Sequence, residues 1–190
     1  MRRRLRGAVA ATAVCMVLAG CSTGPEDFPT VPTCDHSSVL ILEAQSVPSA
    51  AYVPCISQFP AGWTFGGEHI DAGHATFWMD SDRAGTRAVT VTLAPRCDPA
   101  DAVEVPVEPD EAGTTRFEEP ESLPPAYVAD RFYVFPGGCV TYHFAFQSGG
   151  TFTHALEATS ALTFLSRAKG VVLLQREGLT LCGRGVDCPG

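Results

Sequence analysis

The 190-residue chain has no asparagine and a single lysine, Lys169. Both absences narrow the chemistry. A penicillin-binding or class A β-lactamase site needs Ser-x-x-Lys together with Ser-Asp-Asn and Lys-Thr-Gly. Ser166-Arg167-Ala168-Lys169 supplies the first, but without Asn or a second Lys the other two cannot be built. The zincin His-Glu-x-x-His and the phosphate-loop Gly-x-x-x-x-Gly-Lys are missing as well. No Cys-x-x-Cys occurs, so dithiol redox catalysis has no motif to rest on. Positive charge is scarce, with 13 Lys and Arg against 21 Asp and Glu. An acidic body of this kind argues against nucleic acid as a partner. The absence of Asn and the single Lys, beside abundant Ala, Gly, Pro, Val and Arg, fit a GC-rich genome and carry no activity.

A long apolar run is also lacking. Residues 8–19 are uncharged and apolar but too few to cross a bilayer, which takes about 20 residues. Arg2, Arg3, Arg4 and Arg6 precede that run, and Leu18-Ala19-Gly20-Cys21 follows it. A basic stretch, a short apolar core and small residues at a cut site make a removable export signal. Leu-small-Gly-Cys resembles the lipobox of bacterial lipoproteins. The resemblance covers only about the first 22 residues. It implies acylation of Cys21 with a diacylglycerol and palmitate-type chains, cleavage just before it, and lipid anchoring on the outer face of the cytoplasmic membrane. Beyond the lipobox the chain is similar only to lipoproteins of high-GC bacteria in general. Loss of the four leader arginines takes the formal charge from −8 to −12.

Cysteine count fits the same reading. Of eight cysteines, Cys15 leaves with the signal and Cys21 takes the lipid. Six remain, an even number in an oxidising compartment: Cys34, Cys55, Cys97, Cys139, Cys182 and Cys188. Six cysteines allow fifteen pairings. Cys34 with Cys55 would fasten the start of the body, Cys97 with Cys139 would join two strand ends, and Cys182 with Cys188 would close a tight turn.

The expected organisation is a signal over residues 1–20, a lipidated Pro-rich tether over 21–33 and one extracytoplasmic domain over 34–190. Residues 38–45 read as a short helix stopped before Pro48. Residues 75–79 and 86–94 read as a hairpin, since Val89, Val91 and Leu93 alternate with Thr90 and Thr92. A second hairpin joins residues 131–135 to 139–146 through Pro136-Gly137-Gly138. Residues 153–167 carry helical spacing, with Gly170 as the stop. Residues 98–121, rich in Asp, Glu and Pro, read as an exposed loop. The fold class is therefore α+β: an antiparallel sheet of hairpins with one main helix packed on it, held by three disulfides.

Candidate chemistry is sparse. Glu68, His69, Asp71 and His74 form the densest group of metal-ligand side chains, in a Gly-flanked segment between strands. No ligand spacing typical of a known metal site applies to them. His36, His143 and His154 stand singly and read as structural. Asp80-x-Asp82-x-x-Gly85 opens like a calcium loop but lacks its later carboxylates, which makes it a turn. Trp63, Phe65, Phe77 and Trp78 suit a core better than a sugar platform. No catalytic residue and no cofactor is implied. The expected role is a non-enzymatic binding or accessory module of the cell envelope, touching the lipid bilayer through acylated Cys21 and serving an envelope protein or a ligand. The alternative is an envelope hydrolase with a dispersed, metal-assisted site. A binding module or enzyme needs a cleft; a purely structural protein does not.

Overall fold

Alternating side chains build most of the molecule. In a computed structural model, residues 31–35, 38–122, 126–147, 150–176 and 178–187 are described. The signal, Cys21, His36 and Cys188 lie outside them. Strands β3 (His74–Ser81) and β4 (Gly85–Ala94) place Ala75, Phe77, Met79, Val89, Val91 and Leu93 on one face. All six are buried. Strand β8 (Gly138–Ala145) pairs with β4 and adds Val140, Tyr142 and Phe144 to that face. Together with β2 (Trp63–Asp71), β5 (Val103–Val105), β6 (Thr115–Ser122) and β7 (Val128–Phe135) they form one antiparallel sheet. Its order is β2-β3-β4-β8-β7-β6-β5.

The apolar face is covered by a second layer. Strand β1 (Tyr52–Ile56) pairs antiparallel with β9 (Leu162–Ser166). Helices α1 (Ser38–Ser46), α2 (Phe152–Ala161) and α3 (Arg167–Arg176) complete it. Ala155, Ala158 and Ala161 are the buried residues of α2, small enough for close approach. Phe164 of β9 reaches across to Tyr133 and Tyr142, with ring centroids 5.0 and 6.3 Å away. Such contacts add about 0.5–1.5 kcal/mol each beyond area burial. The chain is thus α+β, an antiparallel sheet of hairpins with helices on one face, as the sequence pattern predicts. Two further short helices and the small β1–β9 sheet complete the architecture.

Cys34–Cys55 and Cys97–Cys139 are disulfides, with Cα atoms 5.0 and 5.8 Å apart. Cys182 is also disulfide-bonded. Its expected partner, Cys188, falls outside the described residues. The body begins before Cys34, because Thr33 bridges to Ile56 and Ile56 N donates to the Pro32 carbonyl at 2.8 Å.

Two sequence expectations need correction. The helix predicted over 153–167 ends at Ala161, where Leu162 takes extended dihedrals (φ −101°, ψ 139°). Thr163 and Phe164 then suit a strand better than a helix. Gly170 is not a stop but lies inside α3. The acidic segment is not a free loop either. Residues 103–105 and 115–122 form the edge of the large sheet, because Arg116 and Arg131 neutralise it. Arg116 Nη1 lies 2.8 Å from Glu111 Oε2, and Arg131 Nε lies 2.8 Å from Glu118 Oε1. Glu111 also accepts the Tyr133 hydroxyl at 2.7 Å and its residue is only 6% exposed.

Candidate functional site

The β2–β3 hairpin gathers three of the four residues singled out as metal ligands. Register pairs Asp71 with His74 and His69 with Thr76. Alternation then puts His69 and Asp71 on one face, and His74 joins them across the turn. The strands run further than expected, leaving only Ala72 and Gly73 between them. Gly73 takes φ +97°, a conformation glycine adopts without strain. Its N–H donates to the Ser46 carbonyl of α1 at 2.9 Å, which fixes the turn against the helix. His69 Nε2 lies 2.8 Å and His74 Nε2 3.7 Å from Asp71 Oδ2. One ligand atom from each residue fits within a 4.8 Å group.

Glu68 does not join them. It pairs with Phe77, so the same alternation turns it to the opposite, apolar face. There its Oε2 is buried without a hydrogen bond, and burial raises its pKa. Facing it from α1 is Glu43, fully buried, with neither carboxyl oxygen hydrogen-bonded. Burial, and secondarily the charge of Glu68, push the Glu43 carboxyl well above the usual range. A lone acid directly after the apolar stretch Val39-Leu40-Ile41-Leu42 is the one sequence signal for this group, and it was passed over.

A second feature was not foreseen. Between α1, β1, β9, α3 and the segment after it lies an apolar pocket of about 290 Å³. Leu40, Ile41, Val53, Leu165, Leu174 and Leu181 are among its lining residues. That is roughly twice the ~150 Å³ apolar cavity that holds benzene, and near the lower end of ordinary ligand sites. Arg167 forms part of the wall and is 3% exposed. Its Nη1 donates to the Ala44 carbonyl at 2.8 Å, and its Nη2 donates to the Cys182 carbonyl. Nε has no hydrogen-bond partner. Burial, then nearby Arg184, lowers the pKa of this guanidinium.

The remaining motifs have structural uses. Ser166 Oγ accepts the Lys169 N–H at 3.3 Å, so Ser-x-x-Lys is the amino-terminal cap of α3. Asp80 Oδ1 accepts the Arg87 N–H at 2.7 Å within the β3–β4 turn. Trp63 and Phe77 are buried in the core and Phe65 packs against it. Trp78 lies on the other face under the Arg87 guanidinium, 4.1 Å from the ring centroid. The four aromatics therefore form no single platform. His154 accepts the Thr151 N–H at 3.0 Å as part of a helix cap. His143 Nδ1 sits 2.7 Å from Asp130 Oδ1, and this hydrogen bond raises the His143 pKa.

No protein-family model, no curated protein and no solved structure matches this chain. Among the described residues, no helix is long and apolar enough to cross a membrane.

Proposed function

We propose that the chain is a lipid-anchored extracytoplasmic lipoprotein whose body binds a small single-chain amphiphile. The apolar pocket carries this reading. A purely structural protein has no need of a 290 Å³ apolar recess in a body of this size. Branched aliphatic side chains suit an acyl or similar hydrocarbon segment. The buried Arg167 cation in the pocket wall, with two carbonyl partners and a spare Nε, suits a carboxylate on the ligand. A lipidated Cys21 would hold the pocket beside a membrane, where such molecules are concentrated.

Gly170 offers a direct test. It lines the pocket, and a Cβ built there meets Leu181 Cδ2 at 3.4 Å and Leu165 Cδ2 at 3.9 Å. Both are ordinary contacts. Replacing a mid-helix glycine also favours the helix by up to about 1 kcal/mol. Gly170→Leu should therefore fill the pocket without unfolding the body. With cis-parinaric acid as fluorescent probe, the native chain should saturate at one molecule per chain. Gly170→Leu should lose about tenfold or more of that affinity, close to 1.4 kcal/mol. Absence of saturable binding to the native chain would overturn the proposal.

A further inference from the structure

We infer that His69, Asp71 and His74 form a binding site for one divalent transition-metal ion of the zinc and copper class. This inference is independent of the apolar pocket. The donors would be His69 Nε2, Asp71 Oδ2 and His74 Nε2. Two ligands bonded to one tetrahedral ion at 2.0–2.2 Å lie about 3.4 Å apart. The two separations to Asp71 Oδ2, 2.8 and 3.7 Å, bracket that value. Side-chain rotations of well under a turn bring all three onto one ion, because the ligand atoms already fit within 4.8 Å.

The chemistry of the donors selects the ion. Two imidazole nitrogens and one carboxylate oxygen suit zinc, copper or nickel, whereas calcium and magnesium prefer all-oxygen sets. The scaffold is rigid rather than a floppy tail. His69 and Asp71 sit on β2 and His74 on β3, and the turn between them is tied to α1 through Gly73 and Ser46. Side-chain exposures of 66%, 55% and 45% leave the remaining coordination positions to water. The site is thus three-liganded and open.

The test uses the tag-free full chain in detergent with its disulfides intact. In equilibrium dialysis, Zn²⁺ and Cu²⁺ should each load to one ion per chain, and Mg²⁺ and Ca²⁺ should not. His69→Ala and His74→Ala should each weaken loading about tenfold or more, since each removes one of three ligands. His143→Ala, on another part of the sheet, should leave loading unchanged. A readout on the native chain needs no variant. Substoichiometric Cu²⁺ should broaden the ring-proton resonances of His69 and His74 before those of His143 and His154. One-ion loading that survives the double His69→Ala/His74→Ala variant, or broadening that starts elsewhere, would overturn the inference. So would a native chain that takes up neither ion.

Discussion

Glu43 is a costly residue among those described. Its carboxyl is removed from water, has no hydrogen-bond donor and faces Glu68. An unsatisfied buried polar group costs about 1–3 kcal/mol, so Glu43→Leu should stabilise the protein on that order. Linkage gives the sign with pH. The folded carboxyl has a pKa above its ordinary value of 4.5, so the folded state holds the proton longer than the unfolded one. Stability is therefore full below that value and falls as pH rises toward the raised folded pKa. His143, also raised by its hydrogen bond to Asp130, loses its contribution on the same side, above 6.5. Melting curves from pH 4 to 8 should show Glu43→Leu with a higher Tm and a shallower decline than the native chain. An unchanged slope would remove Glu43 from the account. At this scale the sequence was half legible. Their density in the sequence drew attention to His69, Asp71 and His74, but only the strand register shows that Glu68 points the other way. Arg167 had no signal, because its partners are the carbonyls of Ala44 and Cys182, far away in sequence.

Among the elements, hairpins were the most legible and the acidic edge the least. Strands β3, β4, β7 and β8 advertise themselves by alternation and by the Gly or Asp residues in their turns. Strand β6 hides because its inward residues include Arg116 and Glu118, which pair with one another, Glu118 also with Arg131, rather than presenting apolar side chains. Polarity that reads as solvation in the sequence is here a partly buried ionic network. Arg131 is its hub: besides Glu118, it donates through Nη1 to Thr159 Oγ1 of α2 at 3.0 Å. Arg131→Met should leave Glu118 only the more distant Arg116, at 3.7 Å, and loosen both the edge and the helix. The expected loss is about 2–3 kcal/mol, below the usual figure for a fully buried pair because Glu118 is partly exposed. Denaturant unfolding checks it, and hydrogen exchange should rise first in residues 115–122. The strand β9 was missed for a different reason. A Leu-Thr-Phe-Leu run satisfies both periods, and pairing with β1 decides between them.

At the scale of the whole molecule, the proposed address rests on Cys21 and the folded body on its cystines. Cys21→Ala should release the protein from membranes or leave its signal uncut, as fractionation and intact-mass measurement would show. Normal cleavage with unchanged membrane retention would remove the anchor from the account. The Cys34–Cys55 disulfide carries a mechanical consequence for anything tethered at its amino-terminal end. Helix α1 lies wholly inside the loop this bond closes, a sequence separation of 21. A pull applied ahead of Cys34 therefore passes through the sulfur bridge straight into β1 and bypasses α1. The bridge between Thr33 and Ile56 meets that load beside the same strand. Leu40, Ile41 and Ala44, which α1 contributes to the apolar pocket, would thus stay in place under such a pull. Reduction of this one bond would route the force through the helix, and the wall of the pocket would be the first part to peel.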